Sequence, residues 1–271
     1  MESIRARFEA RGLSVASVPF SHVANKPIDG AKTVLITALP YFFPQKEGYN
    51  LARFAALPDY HVYFGGILKE ICAELQALYP ERLFLPYTDN SPIDEQKAAL
   101  ESGLAIRGKN HLCITKQGSF VFLGEIITDL EISLKETPPK NLCENCNLCQ
   151  KACPNGALTE KGFAYERCLA YITQKKGDLT EGERTALKKH RIAWGCDKCG
   201  EACPHNRDLP TAAIALPPNT VFDRIRKEDF AELSDRQFRE KYAQRAFAWR
   251  GKATMLRNLT VLEESDYGKE K

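Results

Sequence analysis

A chain of 271 residues, 44% hydrophobic and 27% charged, is long enough for one sizeable core and a smaller appended unit. The formal net charge of +3 is too small to require a nucleic-acid partner, and the absence of any run of about 18 apolar residues argues against a spanning helix or membrane partner. Ten cysteines in a chain with neither an apolar nor a twin-arginine leader at its start point to metal binding rather than disulfides, and to a cytoplasmic protein.

The N-terminal "MESIRARFEARGLSVASV" reads as an amphipathic helix followed by a turn. "TVLITALPYF", Thr33 to Phe42, is an apolar, β-branched run closed by prolines, which predicts a buried strand. In "YHVYFGGILKEICAELQALYP" helical spacing places Phe64, Ile67, Leu68, Ile71, Leu75 and Leu78 on one face, with Pro80 as the stop. Cys72 shares that face and reads as core. "LFLPYTDNSP" predicts a strand and a loop, and "IDEQKAALESGL" a helix with Gly103 near its C-cap. "NHLCITKQGSFVFLGEIITDL" predicts two strands joined at Gln117-Gly118. The polar, proline-bearing "KETPPKN" is a natural boundary. Beyond it "LTEGERTALKKHR" predicts a helix starting at Thr180, and a tail follows "ALPPN". In that tail Ser234 and Gln237 resemble a capping box. The division expected from chain order is 1–135, 136–215 and a helical, basic tail 216–271 packing on the core.

"LCENCNLCQKACPNGAL" carries Cys143, Cys146, Cys149 and Cys153 followed by Pro154, the C-x2-C-x2-C-x3-C-P spacing of two-cluster ferredoxins. Three closely spaced thiolates wrap one cubane, and the fourth, turned by the proline, serves the other. "GCDKCGEACPHN" repeats the pattern one member short, with Cys196, Cys199, Cys203 and Pro204, and Cys168 supplies the missing thiol. The eight divide into Cys143, Cys146, Cys149 and Cys203 for one 4Fe–4S cluster and Cys153, Cys168, Cys196 and Cys199 for a second. Structural zinc is the alternative for the same residues. By itself Asp89 is a loop aspartate of the kind that caps a turn or helix, and "RGKN" equally reads as a surface turn.

"DNSPIDE", "SGLAIRGKN", "GSFVFLGEIITDL", the cysteine run with "ACPNGAL", "CLAYIT" and "GCDKCGEACPHN" occur in that order. With "RFAALPDYH" and the tail they resemble the epoxyqueuosine reductase family over roughly residues 34–262. The resemblance implies an α/β fold class: an N-terminal corrinoid-binding α/β domain and a C-terminal ferredoxin-like domain with two 4Fe–4S clusters. It implies cobalamin as a further cofactor, an external low-potential electron donor, a tRNA partner, and removal of an epoxide oxygen to leave a cyclopentene and water. Asp89 matches the proposed proton donor, whose pKa would be raised by desolvation against the corrin. Lys109, Asn110, Cys113 and, in the "SFVFLGE" strand, Ser119, Leu123 and Gly124 match the part lining the corrin. Ala170 stands in the "CLAYIT" motif, and Asp197 matches a position over the cofactor. Asp59-Tyr60-His61 begins a D-x-H-x-x-G motif, but Phe64 occupies the glycine position, so no protein histidine is expected on cobalt.

The sequence departs from the family pattern at Gln96, Ile106, Ala170, Lys175 and His205, and the helical-repeat extension of longer members is not seen. A short paralogue reducing another substrate is therefore an alternative. Reductive dehalogenation is a second, usually accompanied by a twin-arginine leader, and a corrinoid-reducing electron-transfer protein a third. In "REKYAQRAFAWRGKATMLR", Tyr242, Phe247 and Trp249 interleave with basic residues. That segment suits RNA binding or core packing. A monomer is the expected state.

Overall fold

The computed structural model describes residues 2–214, 220–222 and 224–264; the "ALPPN" segment preceding the expected tail lies outside them. It divides into two compact units of interrupted chain: Met1–Phe42, Tyr60–Cys146 and Pro204–Ile214 form the first, and Phe43–Asp59, Asn147–Cys203 and Ala215–Lys271 the second.

The first unit is built on a four-stranded sheet of order β1-β2-β6-β3, in which β1 is Ser14–Pro19, β2 Thr33–Pro40, β3 Phe84–Tyr87 and β6 Val121–Thr128. Every pairing is antiparallel. β2 is buried along almost its whole length, as an apolar run covered on both faces must be. The first helix, α1 (Glu2–Glu9), is followed by the expected turn at residues 10–12, and β1 comes after it as a strand that the sequence reading did not include. Ser14 pairs with Ala38 and Pro19 with Thr33, but small residues with no β-branched run hid the strand. Pro19 sits where an edge strand tolerates a missing donor.

Helix α2 (Tyr60–Leu78) buries Phe64, Leu68, Ile71, Cys72 and Leu75. Of the expected face, Ile67 is half-buried and Leu78, in the last turn, is 47% exposed. Helix α3 (Glu95–Glu101) is capped by the Asp94 carboxylate accepting from the Lys97 amide, and Gly103 follows it with φ +79. The two strands expected to be joined at Gln117-Gly118 are both present, and an antiparallel bridge of Thr115 with Gly118 closes the turn between them, but they form no ladder with each other. β5 (Cys113–Ile114) turns back onto β4 (Ile106–Arg107), while β6 joins the large sheet.

The second unit packs helices α4 (Leu148–Ala152), α5 (Leu169–Gln174), α6 (Glu181–His190), α7 (Asp235–Lys241) and α8 (Lys252–Glu263). Its core joins Leu51, Ile172, Trp194, Phe230, Phe238, Phe247 and Met255. The expected helix start at Thr180 and the Ser234–Gln237 pair are both reciprocal capping boxes. Tyr242 and Phe247 of the basic tail are core residues, at 5% and 0% exposure, whereas Trp249 is 61% exposed with Arg250 stacked on it. Part of the tail's charge is also spent internally: Arg257 donates to the Lys175 and Gly177 carbonyls, and Arg245 to that of Ala56.

Fully buried Asn258 of α8 donates from one amide nitrogen to the carbonyls of Thr173, at 2.7 Å, and Ala193, at 2.8 Å. Asn258→Leu strands both acceptors in the core and is expected to cost roughly 2–4 kcal/mol, measured as a lower urea midpoint at unchanged slope.

Candidate functional site

In the first unit, β3 ends at Tyr87 and the chain turns through Thr88 into Asp89 and Asn90, which take left-handed backbone at φ 65 and 52. Aspartate and asparagine are among the few residues that tolerate this conformation. The turn is held by its own side chains: the Asn90 amide donates to Asp89 Oδ1 at 2.8 Å, and the Asp89 amide to Glu95 Oε1 at 3.0 Å. The Asp89 carboxylate points outward, 52% exposed, with Oδ2 3.3 Å from His61 Nε2. The protein alone therefore does not supply the desolvation expected around Asp89. His61 in turn lies against Tyr60, whose ring stacks on Phe122 at 4.4 Å, with Tyr41 on Phe122 at 4.3 Å.

Two further carboxyls, not singled out in the sequence, stand behind this turn. Glu125 of β6 is 0% exposed and faces Tyr87 across the ladder. Among the described residues neither of its oxygens has a hydrogen-bond partner in good geometry, though the Ser91 hydroxyl and Glu95 carboxyl are its polar neighbours. Burial, then the charge of Glu95, pushes Glu125 up to about 9. Burial also raises Glu95, against the pull of the Asp89 amide. The sequence signal was present: a glutamate inside the apolar strand "VFLGEIIT" has no surface to face.

The expected corrin-lining residues of the first unit are placed as follows. Lys109 Nζ donates to the carbonyls of Glu144, at 3.0 Å, and Cys146, at 3.1 Å. Asn110 is buried, and among the described residues its Nδ2 donor has no partner. A side chain at Gly108 would occupy the space of Asn110 Oδ1 and the Ile114 tip. Cys113 is half-buried, and burial pushes its thiol up to about 11, so it is a neutral wall. Ser119 is locked to Asn206: its amide donates to Oδ1 at 2.7 Å, and its hydroxyl accepts from Nδ2 at 2.8 Å. Leu123 packs into the apolar layer between the sheet and α3. Gly124 faces the other way, and a Cβ there would meet the Phe64 ring at 2.8 Å, so glycine lets α2 approach β6. An orphaned buried amide beside a neutral thiol and apolar walls suits a large, mostly apolar ligand edged with amides or other acceptors.

In the second unit, Cys153, Cys168, Cys196 and Cys199 gather into one electrostatic group. Burial pushes Cys196 and Cys199 up to about 12, and Cys168 and Cys153 raise both further. The Ala157 amide donates to Cys153 Sγ at 3.2 Å, and the Lys198 amide to the Cys196 sulfur. Four gathered thiols, two of them desolvated, with amides aimed at Cys153 and Cys196, fit a group that brings its own positive charge, as an iron–sulfur cluster does. Among the described residues no three of His, Cys, Asp and Glu close on a single metal ion. Cys149 and Cys203 also fall in this unit, both buried, while Cys143 and Cys146 end the middle segment of the first.

Ala170 sits half-buried on α5. Asp197 is almost wholly engaged by Arg53, accepting from its amide at 2.7 Å and its guanidinium at 3.2 Å. Burial raises the Asp197 pKa, and Arg53 opposes it. The same guanidinium donates to Glu201 at 2.9 Å, and Lys198 pairs with Glu201 at 2.9 Å. Three departures from the family pattern have local partners: Gln96 accepts from Arg107, Ile106 pairs with Ile114, and Lys175 pairs with Glu183. His205 Nε2 is buried without a hydrogen bond, and burial lowers its pKa.

Residues 142–206 match the family model of the 4Fe-4S double cluster binding domain. The chain is 34% identical to an epoxyqueuosine reductase of Gloeobacter violaceus over 85% of its own length and 75% of that relative. The chain belongs to the epoxyqueuosine reductase family. An epoxyqueuosine reductase of Listeria monocytogenes is 35% identical over 75% of the chain but only 54% of the relative, so the chain spans about half of that longer protein. A crystal structure of epoxyqueuosine reductase with a tRNA-Tyr epoxyqueuosine-modified stem loop superposes with TM-score 0.76 at 25% identity, covering 87% of this chain and 65% of the other.

Two variants test these placements. Arg53→Met leaves the Asp197 carboxylate buried without its counter-charge and is expected to cost about 3–5 kcal/mol, read from chemical denaturation. Cys199→Ala is expected to lower the iron content of reconstituted protein from about eight to about four per chain, with the remaining cluster still visible by electron paramagnetic resonance after reduction.

Proposed function

We propose that this chain is a cobalamin- and iron–sulfur-dependent reductase that removes the epoxide oxygen of epoxyqueuosine in tRNA. The observation that carries the reading is the Asp89 turn: a family-matching carboxylate, held in left-handed backbone by Glu95 and paired with His61, beside an aromatic stack. An acid presented on a braced loop suits protonation of a departing oxygen. The eight cysteines, in two sets of four, hold the two 4Fe–4S clusters, and an external low-potential donor loads them. Lys109, Asn110, Cys113, Ser119 and Leu123 are the side of the first unit that holds the corrinoid, with the unpartnered Asn110 amide as its donor. Gly124 contributes by letting α2 close on β6. When bound, cobalamin supplies a strongly reducing, nucleophilic metal centre.

Asp89 gives its proton to the oxygen as the carbon–oxygen bond breaks, and His61 keeps the carboxyl oriented. The aromatic stack excludes water from that side. Exposed Trp249 with Arg239 and Lys241 offers RNA a stacking face and phosphate contacts. The protein acts in the cytoplasm, as a monomer.

The test is an anaerobic single turnover of reconstituted protein with cobalamin, reductant and epoxyqueuosine-tRNA, read as queuosine by mass spectrometry. Product is expected only when cobalamin is present, and Asp89→Asn is expected to slow its formation by about 10²–10⁴-fold without changing iron content. Cobalamin reduction with no queuosine formed would instead mark a paralogue with another substrate.

A further inference from the structure

The reaction proposed above needs two electrons and two protons for each water released. Both carbon–oxygen bonds of the epoxide break, an alkene forms between the two carbons, and the oxygen leaves with two new O–H bonds. The electrons come from the external donor through the clusters. Asp89 carries at most one of the protons.

The second acid lies inside. Glu125 is fully buried on the middle of β6, among Ile36, Leu123 and Ile127 of the apolar layer. A carboxylate held there with no cation and no hydrogen-bond donor in geometry is expected to take up a proton. The groups facing it come from each packed element. β3 presents Tyr87 and the turn Asp89 and Ser91, the helix α3 presents Glu95, α2 presents His61 toward Glu95, and β2 offers the apolar Ile36 opposite it. None of these is a fixed positive charge. Glu95 bridges inside and outside, with Glu125 on one side and the Asp89 amide at 3.0 Å on the other.

We propose, resting on the reductase reading, that Glu125 and Glu95 share a stored proton and pass it to Asp89 after Asp89 has given up its own, so that the buried pair supplies the second proton of the reaction. Glu95 plays a double part, since the same carboxyl braces the Asp89 backbone. Glu125 acts only through Glu95 and Asp89, which makes it a proton-supplying residue rather than one that touches substrate. The elevation of Glu125 to about 9 by burial and by the neighbouring Glu95 agrees with storage near neutral pH.

The sign of the linked stability is definite. A carboxyl raised in the folded state contributes stability that is complete below the unfolded value and is lost as pH rises through the folded one. The wild-type protein is therefore expected to lose stability between the ordinary glutamate value of 4.5 and about 9, and Glu125→Gln, an uncharged near-isostere, to lack that slope. Carbon-13 NMR of glutamate-carboxyl-labelled protein without substrate is expected to show one resonance titrating far above the rest, absent in Glu125→Gln. In single turnover at about pH 8, Glu125→Gln is expected to form queuosine at least roughly ten-fold more slowly, with a steeper fall as pH rises, because solvent must then supply the proton.

The outcomes separate. A Glu125 resonance titrating with the ordinary glutamates, or a variant with wild-type rate and pH profile, overturns the proton store while leaving the reductase standing. A wild-type protein that shows the raised titration but makes no queuosine overturns the reductase reading, and with it the use assigned to the stored proton.

Discussion

The antiparallel pairing of β3 with β6 sets where every acid of the site lies. It places Tyr87 opposite Glu125, so that the chain leaves the sheet two residues before Asp89, directly beside a buried carboxyl. Two residues that tolerate left-handed backbone stand consecutively, and α3 begins at the glutamate that accepts the first of their amides. Gly124 belongs to the same constraint from the other face, because only a residue without a side chain lets Phe64 and Leu68 of α2 sit against the strand. Exposure of Asp89 and burial of Glu125 are thus two consequences of one register.

The second unit solves a different electrostatic problem. Burial raises the Cys196 and Cys199 thiols, and the neighbouring cysteines repel them further, while Asp197 next to Cys196 adds a further negative charge. Arg53 takes up that charge with its amide and guanidinium together, and shares the guanidinium with Glu201, which Lys198 also pairs. The loops that carry these thiols therefore hold their own neutralised lattice of Asp197, Glu201, Arg53 and Lys198. Backbone amides of Ala157 and Lys198 directed at Cys153 and Cys196 fix two sulfurs before any metal arrives.

Much of this was legible from residues. Cysteine spacing singles out the thiols expected to hold the clusters because the geometry of a cubane leaves few spacings open, and Thr180 and Ser234 announced helix starts because capping chemistry is local. What escaped reading depended on distant partners. Ser14–Pro19 has no pattern of its own and becomes a strand only because β2 offers an edge. Asp197 gives no sign of its counter-charge until Arg53 is brought to it, and the tail aromatics Tyr242 and Phe247 suit RNA binding and core packing alike until Phe230 and Phe238 close over them. Glu125 was the near miss: a lone acid in an apolar strand is a signal in itself, but its meaning required seeing Glu95 and Asp89 around it.

The central claim is that electrons entering at the cysteines end in a carbon–oxygen bond of a tRNA base. Counting them tests it most directly. Reconstituted protein with cobalamin and epoxyqueuosine-tRNA would be titrated anaerobically with a quantified one-electron reductant, and queuosine measured at each addition. The account predicts one queuosine for every two electrons beyond those stored by the clusters and cobalt. Electrons consumed without queuosine, or queuosine formed without electrons, would contradict it.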